Sequence, residues 1–506
     1  MTQSDRPNIK KMVLLKENLL KSSTKGEPRW LKKPRVNLRL KQQKEQKKKF
    51  KRTESKKKQE DMLVLKLVAN ISDSFPALFQ KLAEIPDFRI LPQYSLTELL
   101  FAGIALHLFK VGSRNAFNNL REKRNFISNF CKAFKMKIPH LDTVDLAMRA
   151  VSNEEIEKVK TYLIKHLITK KTFYNYRIFG KYYNVAIDAT GVMTIDEKNL
   201  NNFPNALYKT YRKGKEDEYR VYFINVLEAK LVTENGFCIS LATEWIENPS
   251  EEYIKQDCEQ KAFKRLSAKL KKSYPRLPIC LTADGLYPNK TIFEACQKYN
   301  WVWIFTLKSG NLPSVWEEAE RLKKLQLNNN KTLITSTVMK VRDKKSEKLQ
   351  QVLKELLTKL DWINEIDYEG FSVNIVRGFE LLDGEIIHTF VYLTSLSVTY
   401  ENSKEIFNNG RLRFKIENEG FNIQKNHGYN MQHKFSQTSE LAMKNYYSCM
   451  QIAHLINQFY ENNIVLKARE TFKNLWEFLR GMFVFETFCS DSISNFLKVK
   501  RQARFG

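Results

Sequence analysis

The stretch Val185-Ala186-Ile187-Asp188-Ala189-Thr190 decides the fold of this 506-residue chain. Its run of apolar residues is typical of a buried strand, and we predict that the strand ends at Asp188. A second apolar run, Ile279-Cys280-Leu281-Thr282, is followed two positions later by Asp284. The sequence therefore predicts two buried strands that each deliver a carboxylate at or near the tip.

A third acidic residue, Glu417, lies far downstream in the segment 413–421. Helical spacing would put Glu417 on one face with Phe414 and Phe421, and we predict that both aromatic rings are buried against the sheet. Glu419 would point about 200° away around the same helix. We therefore favour Glu417 over Glu419 as the acid that joins the two aspartates.

Three carboxylates delivered by two strands and a helix have a specific chemical use. Together they can hold a pair of hard divalent cations, which prefer oxygen ligands. Two such ions clamp the attacking and leaving oxygens of a phosphodiester. Either aspartate alone would be ordinary for a position just past a strand, so the hypothesis depends on the three acids as an ordered set.

The region around the aspartates alternates between strand and helix patterns. Asn235-Gly236 is a strong signal for a hairpin turn between two of its strands. The order of three strands, helix, strand, helix and strand predicts a mixed α/β sheet. After Asp188, the predicted strands lie at 219–226, 237–242, 279–282 and 301–307, and the predicted helices at 255–272 and 291–298.

Composition and pattern divide the chain into six segments. One of them is a β-rich insertion, inside which we predict a single helix at 347–360, because apolar residues recur there with helical spacing. A weak helix-turn-helix pattern lies near Gly112 in the helical region, and ordinary packed helices produce the same pattern at least as often. The predicted segments are a basic arm at 1–62, a helical DNA-binding region at 63–180, the two halves of the α/β core at 181–312 and 404–450, the β-rich insertion at 313–403, and a helical region at 451–506.

Positive charge is concentrated at the start of the chain. Residues 1–60 carry 21 lysines and arginines against 6 acidic residues, and the whole chain has a formal net charge of +29. Such a segment lacks the apolar residues that it would need to fold alone, so we expect a disordered arm. We favour a nucleic-acid contact for this arm, and a tail that only aids solubility is the alternative.

The cysteines and the apolar stretches bear on the cellular compartment. The seven cysteines are scattered without a C-x-x-C pair, which argues against a zinc module and against a disulfide framework. The first residues have no apolar core of a secretory signal. The longest apolar stretch, at 99–109, is too short to span a bilayer. These features predict a soluble protein of a reducing, intracellular compartment.

Four stretches of this sequence resemble the DDE transposases of bacterial insertion sequences, of the insertion-sequence-four type. They are residues 188–191 around the first acid, 282–288 around the second, 301–312 before the insertion, and 413–425 around the third acid. The resemblance covers roughly residues 85–454. It implies an α/β fold with a ribonuclease H-like mixed sheet, interrupted by a β-rich insertion and preceded and followed by helical segments.

The segment around the third acid departs from the family pattern Y-x2-R-x3-E-x6-K. Arg413 and Glu417 fit the spacing between the arginine and the acid. The tyrosine position of the pattern falls on Gly410, and the lysine position falls on Gln424, with Lys425 one place later. The departure concerns the residues that would contact phosphate more than the acid itself.

The resemblance implies a DNA transposase that cuts at the ends of an insertion sequence and transfers the freed strand into target DNA. Each site would hold two Mg²⁺ ions, for which Mn²⁺ can substitute. By the resemblance, the catalytic and metal-binding residues are Asp188, Asp284 and Glu417, and the residues that contact DNA are Arg413, Lys425 and Lys308.

The resemblance also implies partners and a location. Double-stranded DNA would bind as terminal inverted repeats and as target, two copies of the chain would act on paired ends, and a hairpin intermediate would form. No membrane partner is expected, and the bacterial cytoplasm close to the nucleoid is the expected location. Two alternatives stay open: a ribonuclease H-like nuclease without strand transfer, and a catalytically inactive DNA-binding remnant. For Arg413, a structural salt bridge is as good an interpretation as a DNA contact.

Overall fold

The computed structural model describes residues 62–248, 255–342, 349–464 and 471–499. The basic arm predicted at 1–62 lies outside the described residues, apart from its last position. From Val64 onward the described residues form one compact unit. The chain is an α/β protein with a mixed sheet, as the sequence predicts.

The sheet contains both antiparallel and parallel neighbours. Its strands follow the order β2-β3-β1-β5-β6-β10-β9-β8-β7, and β4 pairs with β3 on a branch. The pairs β1–β5 and β5–β6 are parallel, and the other pairs are antiparallel. The strands are β1 Tyr183–Ile195, β2 Leu207–Tyr211, β3 Tyr219–Val232, β4 Cys238–Ile246, β5 Ile279–Ala283, β6 Val302–Thr306, β7 Asn330–Arg342, β8 Leu349–Tyr368, β9 Phe371–Leu382 and β10 Glu385–Thr394.

Helices precede, cross over and follow this sheet. Parallel neighbours need a crossover connection, and α8 and α9 supply the two that β5 and β6 require. The helices are α1 (62–74), α2 Leu78–Ala83, α3 Leu96–Leu108, α4 Arg114–Arg121, α5 Phe126–Phe134, α6 Leu141–Met148, α7 Asn153–Thr169, α8 Glu259–Ser273, α9 Lys290–Tyr299, α10 Pro313–Lys323, α11 Ser403–Leu412, α12 Ile423–Asn426, α13 Glu440–Asn462, α14 Phe472–Phe485 and α15 Ser490–Lys498.

The first strand is longer than predicted. The prediction ended it at Asp188, whereas β1 continues to Ile195 and pairs with β3 throughout, with one irregularity between Gly191 and Met193. Asp188 lies opposite Glu228 and therefore in the middle of the strand. The error arose because the charged Asp188 and then Gly191 interrupt the apolar run and suggested a strand end, while pairing with the long neighbour β3 keeps the chain extended.

The predicted hairpin turn at Asn235-Gly236 joins β3 to β4. Gly236 has φ +93°, which favours glycine, and the backbone N–H of Gly236 donates to the carbonyl oxygen of Thr233. The predicted strand order of this part of the chain is therefore confirmed, with the short strand β2 added between β1 and β3.

The insertion is a four-stranded antiparallel extension of the main sheet. Its last strand, β10, pairs antiparallel with β6, and β9, β8 and β7 follow in turn. The helix predicted at 347–360 is wrong, because its described residues belong to the 20-residue strand β8. Burial alternates along β8 at Thr358, Leu360 and Trp362, as expected for a strand that packs one face.

The long helix α13 lies between the amino-terminal helices and the sheet. Every residue from Asn445 to Tyr460 is buried. Its polar side chains find partners on both sides: Asn445 Nδ2 donates to the carbonyl oxygen of Val151 (2.7 Å), and Gln458 Nε2 donates to that of Cys238 (3.0 Å). These bonds allow polar residues in a helix that is buried all round.

A phenylalanine cluster holds the helical segments from the two ends of the described chain together. Phe109, at the end of α3, packs edge-on against Phe483 of α14 with ring centroids 4.9 Å apart. Phe130 and Phe134 of α5 complete the cluster. Among the helices of the described ranges, none combines the length and apolar character that crossing a bilayer would need.

Candidate active site

Asp188 and Asp284 come from parallel neighbouring strands. The register of β1 and β5 pairs Ala186 with Thr282, so the same register, continued by two residues, brings Asp284 level with Asp188. About one fifth of each carboxylate side chain is exposed, 21% for Asp188 and 20% for Asp284. The negative charge of Asp284 also raises the pKa of Asp188, so the two carboxylates are close enough to influence each other.

Asp284 is held in a tight turn just after β5. Its Oδ1 accepts from the backbone N–H of Leu286 (2.8 Å), and its Oδ2 pairs with Lys308 Nζ (3.0 Å). Gly285 makes room for this pair, because a Cβ at position 285 would lie only 2.8 Å from Lys308 Cγ. Lys308, predicted from the resemblance to contact DNA, is therefore an immediate partner of a predicted catalytic acid.

Glu417 lies in a π-helical segment, Ile416–Asn422, which follows α11 after a short connection. Ile416 and Phe421 are buried in a cluster with residues of β1, β3 and β4, which docks the segment on the sheet. Gly420 permits the close approach, because a Cβ there would lie 3.0 Å from Cys238 Sγ. Helical segments of this rare type are frequent at functional sites.

The prediction that Phe414 and Phe421 both face the sheet is wrong for Phe414. Phe421 is buried, but Phe414 is 43% exposed and packs beside the guanidinium of Arg413. The π-helical geometry changes the angle between successive residues, so α-helical spacing misplaced one of the two rings. Glu417 is therefore not enclosed between two buried aromatic side chains.

Arg413 joins Glu417 to Asp188. Its Nη1 lies 2.8 Å from Glu417 Oε1 and 3.6 Å from Asp188 Oδ2. Glu419 pairs instead with Lys415, at 2.6 Å, and is not among the groups that shift the pKa of Asp188. Of the two neighbouring acids, Glu417 is the one that the structure brings to Asp188.

Burial raises the pKa of Asp188 to about 7. The guanidinium of Arg413 opposes this rise, while the negative charges of Glu417 and Asp284 add to it. Burial lowers the pKa of Lys425, and the charge of Asp188 partly opposes this, which places Lys425 near the same carboxylate. The structure thus places the three acids and three cations, Arg413, Lys308 and Lys425, in one region beside β1 and β5.

The donor chemistry of these acids fits a hard divalent cation, because all three offer carboxylate oxygens. Within the described ranges, however, no three histidine, cysteine, aspartate or glutamate side chains are close enough together to form a ready metal site. The ion pairs explain this spacing, since Arg413 lies between Asp188 and Glu417, and Lys308 covers Asp284. A bound cation would have to displace these pairs.

Two residues at this site were missed by the sequence analysis. The Oη of Tyr287 donates to Glu259 Oε2 (3.3 Å), and burial together with the charge of Asp284 raises the pKa of Glu259. Burial, Glu259, Asp188 and Asp284 all raise the pKa of Tyr287. Glu259 is therefore a fourth carboxylate beside Asp284. Only its place at the start of a helix next to the second motif could have indicated this, since nothing in its own sequence neighbourhood is distinctive.

The structure also explains the two departures from the family pattern around Glu417. A side chain at Gly410 would collide with the ring of Tyr392 from β10, because a Cβ there lies 2.7 Å from that ring. Gln424 accepts a hydrogen bond from the buried ammonium group of Lys230 on β3 (3.1 Å). A tyrosine and a lysine contributed by strands therefore lie beside the two helical positions where the pattern has those residue types.

Comparisons with known proteins add nothing to this geometry. A scan against models of protein families finds no match, and a search of curated proteins finds none either.

Proposed function

We propose that this chain is a DNA transposase of the DDE type, with Asp188, Asp284 and Glu417 as its catalytic acids. The observation that carries the proposal is the convergence of three acids from distant parts of the sequence around Arg413 and Lys308. A carboxylate with a raised pKa beside several cations, as Asp188 is, is typical of functional sites.

The topology of the sheet supports a ribonuclease H-like core. Strands β4, β3 and β1 form an antiparallel set, and β5 and β6 continue it as parallel strands reached through helices. This order of strands and helices agrees with the one that the resemblance implies. The four-stranded extension β7–β10 separates β6 from the segment that carries Glu417, in keeping with an inserted module.

The three carboxylates would hold Mg²⁺ or Mn²⁺, and such ions activate a nucleophile and stabilise the charge on the leaving oxygen. The other residues have roles of their own. Arg413 and Lys308 supply positive charge at the position of the scissile phosphate, and an arginine can bind a phosphate through two hydrogen bonds. Lys425 adds a third cation on the side of Asp188. Glu259 and Tyr287 support the site beside Asp284.

Double-stranded DNA is the proposed substrate, because the chain carries a net charge of +29. Two copies acting on paired ends in the bacterial cytoplasm complete the proposal, as the resemblance implies. A nuclease without strand transfer would use the same acids, so the products of the reaction must separate the two functions.

The test is a nicking assay on labelled duplexes taken from the DNA that flanks the gene, after a search of that DNA for a pair of short inverted repeats. We expect cleavage with Mg²⁺ or Mn²⁺ and binding without turnover with Ca²⁺. Joining of the cut strand to a second duplex would distinguish a transposase from a nuclease. Cleavage that persists in EDTA would refute the metal-dependent mechanism, and Asp188→Asn is the control for contaminating nucleases.

A further inference from the structure

A two-stranded ribbon projects from the sheet beyond the end of β1. It consists of β2, the first residues of β3 and the turn between them (residues 207–222), and we call it the aromatic hairpin. β1 ends at Ile195 opposite Tyr222, so no third strand of the described chain pairs with the hairpin beyond that point. Residues 211–220 are all exposed. A solvated ribbon of this kind gains little stability by itself, which makes its side chains candidates for binding.

One face of the aromatic hairpin carries a pair of stacked tyrosines. Tyr211 and Tyr219 lie opposite each other in the register of β2 and β3. Their rings are nearly parallel, with an angle of 12° and centroids 5.3 Å apart. Tyr211 is 38% exposed and Tyr219 is 52% exposed, and the ammonium group of Lys209 lies 5.1 Å from the centre of the Tyr211 ring.

The opposite face of the hairpin repeats the combination of aromatic and cationic groups. The guanidinium of Arg220 lies 4.7 Å from the centre of the Tyr208 ring, and the rings of Tyr208 and Tyr222 are 6.0 Å apart. Side chains alternate along β3, so Arg220 and Tyr222 share a face with Glu228, the residue opposite Asp188. This face of the hairpin thus continues the sheet face on which Asp188 lies.

The turn of the hairpin carries two lysines that are not engaged in ion pairs within the described residues. Asp217 pairs with Arg212, and Glu218 accepts from the backbone N–H of Gly214 (2.9 Å), so two of its acids are engaged within the turn. Lys213 and Lys215 are exposed and make no ion pair within the described residues. Their charges are available to a polyanion.

We propose that the aromatic hairpin binds unpaired DNA bases, by stacking on Tyr211 and Tyr219 and by phosphate contacts to its lysines and arginines. Exposed aromatic rings interleaved with cations are the usual platform for single strands, since every base has a face that can stack. Tyrosine and arginine are also common in protein interfaces, but lysine is depleted from the cores of such interfaces, and the lysines of the hairpin therefore favour a polyanion. The choice of DNA rests on the proposed function.

The position of the aromatic hairpin in the sheet is compatible with single-stranded DNA as its partner. β3 is antiparallel to β1, so the start of β3 lies at the carboxyl end of β1, and Tyr219 lies nine residues along β3 from Glu228, the residue opposite Asp188. Nine residues of strand span about 30 Å. A single strand that leads away from the cleavage point in this direction would therefore reach the hairpin.

The experiment measures binding of the full chain by fluorescence anisotropy in EDTA, with a labelled oligothymidine of about 20 nucleotides, long enough for a typical single-strand site, and a duplex of the same length. The variant Tyr211→Ala/Tyr219→Ala removes the rings and keeps the charges. Tyr211→Phe/Tyr219→Phe keeps the rings and is the matched control. We expect the alanine variant to lose about tenfold or more in affinity for the single strand, as stacked bases commonly contribute. The phenylalanine variant should bind like the wild type.

Duplex binding by the alanine variant should change by less than about threefold, because phosphate contacts remain. The variant Lys213→Gln/Lys215→Gln should instead lower the slope of log K against log salt by about one to two units. Unchanged single-strand affinity in the alanine variant would overturn the proposal. Equal losses for single strand and duplex would overturn the assignment to unpaired bases, and loss of self-association in sedimentation would assign the hairpin to a second copy.

The same variants distinguish failure of the hairpin proposal from failure of the transposase proposal. If the alanine variant loses single-strand binding while no DNA is ever cleaved, the hairpin assignment holds and the transposase proposal fails. If cleavage depends on Asp188 but the alanine variant binds and cuts as the wild type does, the hairpin assignment fails alone. Far-ultraviolet circular dichroism checks that the variants fold, as expected for substitutions of exposed side chains.

Discussion

Each of the three acids at the candidate site lies beside a cation. Asp188 and Glu417 share one guanidinium nitrogen of Arg413, and Asp284 has Lys308. A largely buried carboxylate without such a partner would take up a proton, and Asp188 is already close to that limit, because burial raises its pKa to about 7. The guanidinium of Arg413 therefore favours the ionised form of Asp188 in the metal-free protein, as bound divalent ions would in the proposed reaction.

The raised pKa of Asp188 predicts a pH dependence of stability. The ordinary value is 3.8, so the folded protein holds the proton more tightly than the unfolded chain does. Stability is consequently lost as the pH rises from about 4 to about 7. Asp188→Asn removes the titrating carboxyl group and therefore this loss. In EDTA, the free energy of unfolding of the variant relative to that of the wild type should rise between about pH 4 and about pH 7 by on the order of 1–3 kcal/mol.

Urea unfolding of both proteins at several pH values measures this difference. Asp87→Asn is the control with the opposite sign, because the hydrogen bond and charge of Arg89 lower the pKa of Asp87. The contribution of Asp87 is present at neutral pH and lost on acidification, so its variant should lose stability relative to wild type as the pH rises. A difference for Asp188→Asn that does not change with pH would contradict the assignment.

Two adjacent acids test which carboxylate serves the site. Glu417→Gln keeps the shape and removes the charge, so cleavage should fall by orders of magnitude while DNA binding persists. A loss of several kcal/mol of transition-state stabilisation is the expected scale. Glu419→Gln should cut nearly as the wild type does, because Glu419 pairs with Lys415 away from Asp188.

Single-turnover cleavage by the two glutamine variants, beside Asp188→Asn and Asp284→Asn, decides between the acids. If Glu419→Gln were inactive and Glu417→Gln still cut, the assignment would move by two residues. The sequence pattern favoured Glu417 on the premise of an α-helix with both Phe414 and Phe421 buried. The structure favours the same residue through Arg413, a contact that no helical periodicity could have indicated.

At the scale of secondary-structure elements, some strands and turns could be predicted from sequence patterns alone. The strands around Asp188 and Asp284 and the hairpin at Gly236 follow local signals, since apolar runs and a turn glycine specify them directly. The segment 347–360 was predicted as a helix, and there is a physical reason why its described residues form a strand instead. Its leucines recur with helical spacing among good helix formers, but the chain pairs with β7 on one side and β9 on the other. Pairing with distant strands overrides local propensity, and a single sequence does not contain that information.

The contact of α11 with β10 allows a test at this scale. A Cβ at Gly410 would lie 2.7 Å from the ring of Tyr392, so Gly410→Ala should destabilise the fold by about 1–3 kcal/mol. Tyr392→Leu removes the ring. In that background, Gly410→Ala should lower the free energy of unfolding only slightly. A coupling energy of at least about 1 kcal/mol between the two changes is expected.

Denaturant unfolding of the two single variants and the double variant completes this cycle. Gly481→Ala is the control, because nothing lies within 4 Å of a Cβ there, and alanine in a helix should add up to about 1 kcal/mol of stability. Additive effects of the changes at Gly410 and Tyr392 would show that the ring does not set the distance between α11 and β10.

At the scale of the whole molecule, buried polar bonds connect the helical layer, the sheet and the segment that bears Glu417. The ammonium group of Lys230 on β3 contacts Gln424 (3.1 Å) and Gln451 of α13 (3.4 Å), and Gln424 Nε2 also contacts His454 Nδ1 (2.9 Å). Burial lowers the pKa of both Lys230 and His454. Such a network is strong only when all its members are present, so it fixes how α12 and α13 sit on the sheet. Sequence patterns could not indicate this network, because Lys230 looks like one charged residue in a strand.

The charge of the molecule as a whole leads to the last prediction. Residues 1–60 contribute 21 lysines and arginines against 6 acids, more than half of the net charge of +29. If this arm binds phosphates, deleting residues 1–60 should weaken duplex binding and flatten the dependence of log K on log salt, by about 0.9 for each phosphate that the arm neutralises. The thermal midpoint should stay the same, because the compact unit begins at Val64.

A second variant separates the charge of the arm from its length. Replacing the lysines of 41–52 with glutamine keeps the length and should reproduce part of the change in salt slope, because counterion release depends on the number of neutralised phosphates. Equilibrium binding of both proteins to one duplex at several salt concentrations measures the slopes. An unchanged slope in both proteins would reduce the arm to a solubilising segment, and DNA binding would then have to come from the described part of the chain.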